Sequence, residues 1–278
     1  MSALRLGRNR ETFDRTWWLW LITGFVLALM FIPVGVVVLF SLNSEKSLIV
    51  FGSLSTRWYD ELLHDGSMLA SLRISVEIAV LAALLATILG TLLAIGWQRA
   101  RPLAAGATTG TVMLRLVAPE TAAAAALFLL LTQMKVPLSF WTILAGHLAL
   151  TIAFVAVVVR SQLVNLNPEV ESAAQDLGAG PIKALWLVVL PALRPAIGSA
   201  GLLAFVLSFD DFVTTYFTSG AEGQPLPLRI YSMLRFGVTP EANAAGILML
   251  VLTAAVLTFA ALALLLFRGH RRRRKVVA

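Results

Sequence analysis

Long uncharged runs separated by short charged stretches dominate this chain. Trp17–Ser44 and Ile78–Gln98 carry no charged residue, and Leu116–Met134 contains a single acid, Glu120. Val136–Val159 holds only His147, Pro195–Ala221 is interrupted only by Asp210 and Asp211, and Ala242–Phe267 is again clean. A bilayer core of about 30 Å takes roughly 20 apolar residues per helix. The pattern therefore predicts an all-α integral membrane protein with six transmembrane helices, at about residues 17–42, 74–97, 113–133, 137–160, 195–217 and 242–267. A six-span domain of residues 17–267 is expected between a basic arm, 1–16, and a basic tail, 268–278.

Basic residues near span ends set the expected orientation, because Lys and Arg stay preferentially on the cytoplasmic side. Arg5, Arg8, Arg10 and Arg15 precede the first span, and Arg268, Arg271–Arg274 and Lys275 follow the last. Six spans place both termini on one side, so both are expected to be cytoplasmic. Residues 45–73 and 222–241 then form the outer loops, and 99–113 and 160–194 the inner ones. Trp17, Trp18 and Trp20 crowd the inner end of the first span, at the headgroup level that indoles favour. That span is too long for a signal-peptide core and has no small-residue cleavage site before Asn43, so it reads as a retained anchor. No inverted internal repeat is visible.

Composition narrows the class. Hydrophobic residues make up 59%, charged residues 13%, and mean hydropathy is +0.85. Soluble domains average about 25% charged residues, and disordered chains are poor in apolar ones, so both are excluded. There is no cysteine, hence no disulfide, thiolate metal site or cysteine nucleophile. The three histidines lie far apart in sequence. Net charge is +7, but six of the 22 basic residues fall within the last eleven positions. The charge is a tail facing lipid headgroups, and no nucleic-acid partner is expected.

The inner loop between spans four and five has its own architecture. Asn167-Pro168 is a helix start, a side-chain cap followed by a residue with preset φ. Glu169 and Glu171 occupy the first turn, where the helix dipole favours acids. Val170, Ala173, Ala174 and Leu177 recur at i, i+3, i+4 and i+7 as one apolar stripe, and Gly178 supplies a left-handed stop. A second short amphipathic helix is expected from Pro181, with Ile182, Leu185, Trp186 and Val189 on one face and Pro191 and Pro195 bending the chain back to the membrane. A helix at 168–178 suits either the lipid surface or docking to a cytoplasmic partner.

Acids within spans define a second candidate site. A charged side chain at mid-bilayer costs roughly 2.5–3.5 kcal/mol on insertion scales, so Glu120, Asp210 and Asp211 are candidates for a substrate path. Arg115 and Arg194 are expected near inner span ends, where long side chains snorkel. Uncompensated negative charge suits a cation, and the backbone carbonyl freed by Pro119 adds an acceptor. At 1.5 Å per residue, Asp210 and Asp211 are expected about 23 Å above the bend at Pro195, in the outer half, with Glu120 near mid-bilayer. Glu120 could instead pair with Arg115 or with a base of a partner subunit. His147 reads as an interhelical hydrogen bond, and Arg73 with Glu77 as a local i,i+4 pair.

Ala173-Ala174-x-x-x-Gly178, followed by Val188-x-Leu190-Pro191, resembles the Glu-Ala-Ala loop of bacterial ABC importer permeases. In that family the loop is a coupling helix seated in a cleft of the ATPase subunit. The resemblance assigns ATPase coupling to Glu171, Ser172, Ala173, Ala174, Leu177 and Gly178. Alignment on Gly178 puts Ser172 where the family has its glutamate, with Glu171 one position earlier, about 100° away around a helix. Ser55-Thr56-Arg57-Trp58-Tyr59, Leu207-Ser208-Phe209-Asp210-Asp211, Leu226–Ser232 and Gly237–Ala244 are similar to permeases of spermidine/putrescine importers. Permeases for opines, other amines or ferric iron share parts of these strings.

The resemblance implies a type I importer fold and a non-catalytic subunit. The chain has no G-x-x-x-x-G-K-[ST] phosphate loop, which fits ATP and Mg being held by a separate cytoplasmic ATPase dimer. The implied partners are a second, related but different permease, an extracytoplasmic substrate-binding protein and a polyamine substrate. The implied location is the bacterial inner membrane, and no cofactor of the chain's own is expected. An ion-coupled secondary transporter is the alternative from another class; it accounts for the acids but not for the capped helix at 168–178.

Overall fold

The computed structural model describes residues 17–46, 50–221, 223–237 and 239–276, and is all-helical apart from one isolated antiparallel bridge, Asn43 with Leu54. The expected arm 1–16 and residues 277–278 lie outside the described residues. In chain order the helices are α1 (Trp17–Ser41), α2 (Arg57–His64), α3 (Gly66–Arg99), α4 (Pro102–Val117), α5 (Glu120–Gln133), α6 (Phe140–Val164) and α7 (Pro168–Asp176). They continue with α8 (Pro181–Ala184), α9 (Leu190–Phe209), α10 (Val213–Thr218), α11 (Leu226–Phe236) and α12 (Pro240–Val276). Among the described residues five helices are long and apolar enough to cross a membrane, six if the bent pair α4–α5 counts as one span.

The core is a three-helix contact of α3, α6 and α9. Lipid offers no hydrophobic drive for association, so spans hold together by close packing of small residues. Ala86, Ala94, Ala200 and Ala204 are buried here with Val155, Val159 and Leu193. A Cβ on Gly90 would lie 2.7 Å from Val155, and one on Gly201 would lie 2.6 Å from the Thr87 hydroxyl. Glycine is therefore required for these helices to approach as they do. α12 packs on α1, and α10 packs on α5 and α6.

The two ends of the bundle differ. At one, Trp58 Nε1 donates to the carbonyl of Asn43 (2.6 Å), and Asn43 Oδ1 accepts from the Gly52 amide (2.9 Å). Asp65 caps α3, accepting from the Ser67 amide and hydroxyl (both 2.8 Å), which hold its carboxyl below the usual aspartate range. Arg229 of α11 reaches Ser67 (2.8 Å) and Asp65 (3.7 Å), and the Leu226 amide donates to Ser75 (2.7 Å). The opposite end carries Arg99, α7 and the start of the long helical segment Pro181–Phe209.

Three expectations need correction. Residues 113–133 do not form one straight span: α4 and α5 meet at 105°. Pro119 has no N–H to continue the ladder, and it forces Ala118 into an extended conformation (φ −57°, ψ 135°). Residues 195–217 are likewise broken, since α9 ends at Phe209 and α10 begins at Val213. The second short helix expected from Pro181 does begin there, but it is not separate: α8 runs through a π turn, Leu185–Val189, directly into α9. The π turn lies just before Pro191, which cannot donate to the carbonyl one turn back.

Candidate functional site

The acids singled out within spans come together. Glu120, Asp210 and Asp211 line one cavity of about 460 Å³ with Ala118, Phe154 and Phe212. Each stands at a helix break and not on a continuous helix face. Glu120 opens α5 beyond the Pro119 bend, where its charge also suits the helix dipole. Asp210 ends α9, and Asp211 sits in the gap before α10.

The two aspartates have different surroundings. Asp211 is 7% exposed; its Oδ1 accepts from the Thr214 amide (2.8 Å), and its Oδ2 lies 3.7 Å from His147 Nε2. His147, 2% exposed, also bonds Ser208 of α9 (2.7 Å) and Thr215 of α10 (3.1 Å). The histidine thus ties α6 to both sides of the break, an interhelical role. Asp210 is exposed, and among the described residues its side chain accepts one hydrogen bond, from the Thr253 hydroxyl of α12 (3.2 Å). One aspartate is built into the frame, and the other is exposed at the cavity wall.

Arg115 lines the same cavity. Arg115 stands near the end of α4, before the 105° bend to α5. Among the described residues no ion pair joins Arg115 to any of the three acids. An aromatic group beside the cavity also escaped the sequence reading. Phe212 lies 4.8 Å from Tyr231 and 5.7 Å from Tyr216, ring centre to ring centre. The Phe212–Tyr216 spacing of four was a legible signal; Tyr231 arrives from α11. Aromatic faces attract ammonium groups. Among the described residues no cluster of three or more His, Asp or Glu could hold a metal ion.

The loop site is built from local signals. Asn167 Oδ1 accepts from the Glu169 amide (3.0 Å), and Pro168 is the first helical residue. Gly178 has φ +88°, with its amide bonded to the carbonyl of Gln175 and that of Ala179 to Ala174. That is a complete Schellman stop. α7 has no buried residue: Val170 and Ala173 are exposed, Ala174 is half-buried, and Leu177 is 90% exposed. The apolar stripe faces outward, uncovered among the described residues. Ser172 is exposed and, among the described residues, bonds the Pro168 carbonyl (3.3 Å). Glu171 turns the other way, and its Oε1 lies 2.5 Å from Arg99 Nη2 at the end of α3.

Residues 108–276 match the family described as binding-protein-dependent transport system inner membrane component. The chain is 32% identical over 233 residues to the spermidine/putrescine transport system permease protein PotC of Escherichia coli (strain K12), covering 83% of this chain and 88% of that one. It is 37% identical over 237 residues to the putrescine transport system permease protein PotI of the same organism, covering 83% and 84%. Its fold is similar to a chain of a bacterial ABC transporter involved in the import of the acidic polysaccharide alginate. There the TM-score is 0.68 at 15% identity, over 91% of this chain and 97% of that one.

Proposed function

We propose that this chain, which belongs to the family of binding-protein-dependent transport system inner membrane components and is a non-catalytic permease subunit of an ABC importer, carries polyamines such as spermidine and putrescine. One observation carries the substrate reading: Glu120, Asp210 and Asp211 line a single cavity with Phe212 at its edge. A flexible polyamine has ammonium groups separated by methylene chains, and it matches spaced carboxylates with apolar and aromatic surface between them. The likeness to polyamine permeases supports the same reading. Family membership sets aside the secondary-transporter alternative.

In this account the subunit lies in the bacterial inner membrane with both termini cytoplasmic. It pairs with a second, related permease, receives substrate from an extracytoplasmic binding protein and is driven by a cytoplasmic ATPase dimer holding ATP and Mg. The outward stripe of α7, Val170, Ala173, Ala174 and Leu177, with Ser172 and the Gly178 stop, is the ATPase docking surface. Closure of the ATPase dimer moves α7, and the spans alternate the access of the acid cavity. A solute ammonium exchanges its hydration for successive carboxylate contacts weak enough to permit release.

Arg115 favours a second reading, an opine or other zwitterion whose carboxylate it would meet while the acids hold the amine. Uptake into proteoliposomes containing the whole complex separates the two. For polyamines, Arg115→Gln leaves spermidine uptake within about threefold of wild type, because no required contact is lost. Abolished transport of an opine by Arg115→Gln, in a complex that never carried spermidine, overturns the polyamine reading.

A further inference from the structure

We propose that Arg99 is a positioning residue: by holding Glu171 it fixes α7 to the end of α3, so that motion of a docked ATPase is carried along α3 to the opposite end of the subunit. The inference rests on the reading of α7 as the ATPase docking helix and adds the route by which its motion leaves the loop.

A docking helix with its apolar face turned outward cannot be held by that face. α7 buries no residue of its own, and its most extensive backbone contacts are with α8 and the π turn that follow it in sequence. Among the described residues, Arg99–Glu171 is the only side-chain hydrogen bond or ion pair from α7 to a spanning helix that precedes it. The guanidinium is the last side chain of α3, where a cation also suits the helix C-terminus. Glu171 stands in the first turn of α7, where an acid suits the N-terminus. Both helix ends therefore favour the charges that join them.

α3 is suited to carry such a push. It is 34 residues without a proline, about 51 Å long. Gly90 and Ala86 seat it against α6 and α9 with no room for sliding by small steps. Its far end is fixed in turn, by Asp65 and Ser67 to Arg229 and by Ser75 to the Leu226 amide. Arg99 and Arg229 thus tie the two ends of one rod to α7 and α11.

The chain has no cysteine, so a single Phe236→Cys, at the exposed end of α11, can carry a fluorophore in the assembled complex in proteoliposomes. The readouts are ATPase retention, ATP hydrolysis and the response of the label to ATP. Arg99→Glu and Glu171→Arg are each expected to reduce the label response by about tenfold. The R99E/E171R swap is expected to restore it. Loss of ATPase attachment in the single variants that the swap repairs also supports the proposal. Full response in either single variant, failure of the swap to restore it, or no response in the wild-type complex overturns it. Failure of the docking reading is separately visible: a Leu177→Cys complex that gives no cross-link to the ATPase removes the premise, whatever the label does.

Discussion

The two walls of the acid cavity are made by different means. One wall is the end of α9 and the start of α10, held by the buried network of Asp211, His147, Ser208 and Thr215 and backed by the close-packed α3–α6–α9 core. The other is the α4–α5 elbow bearing Arg115 and Glu120, in which Val112 and Ala124 are the buried residues. Gly90 has no space for a methyl group, whereas Gly110 of α4 has no heavy atom within 4 Å of where one would go. The contrast teaches that α3 behind the cavity is close-packed, whereas α4 at its front is lightly held at Gly110. If the subunit alternates access as proposed, α4 is the part that can shift without dismantling the core.

The largest effect expected from this contrast is on stability. Gly90→Ala should lower the thermal stability of the purified protein in detergent by about 1–3 kcal/mol through overpacking. Gly110→Ala, on the elbow, should raise it by about 0.5–1 kcal/mol, since helical glycine only adds unfolded-state entropy there. Equal losses at both sites would erase the distinction between the walls.

A smaller difference separates the adjacent aspartates. Asp211→Ala removes the acceptor for the Thr214 amide and should cost about 0.5–2 kcal/mol of stability. Asp210→Ala should stay within about 0.5 kcal/mol, since that side chain is exposed and has one long hydrogen bond. Transport should rank the other way, with Asp210→Asn more harmful than Asp211→Asn to polyamine uptake by the intact complex. A transport loss confined to Asp211→Asn would reverse these assignments.

The sequence makes local features plain and long-range ones obscure. Asn167, Pro168 and Gly178 mark α7 because caps and stops are set by neighbours in the chain. The apolar runs likewise announce the helices. The breaks at Pro119 and after Phe209 are hidden inside those runs, where mean hydropathy does not change at a bend. Arg115 lies five residues before Glu120, and that both line one cavity across the 105° turn between them is not legible in their spacing. Glu171 carries no sign of its partner, which is 72 residues away. Adjacent helical residues point about 100° apart, so the sequence implies different surroundings for Asp210 and Asp211, but not that Asp211 is the one buried in a hydrogen-bond network.

The central claim is that the three acids of this cavity conduct a polycation. Its most direct measurement is ATP-driven spermidine uptake into proteoliposomes by the whole complex carrying Glu120→Gln, Asp210→Asn and Asp211→Asn together, with assembly and ATP hydrolysis measured on the same sample. The account predicts an assembled complex that still hydrolyses ATP but imports spermidine at least about tenfold more slowly, equivalent to about 1.4 kcal/mol. Undiminished spermidine uptake by that assembled triple variant would contradict it.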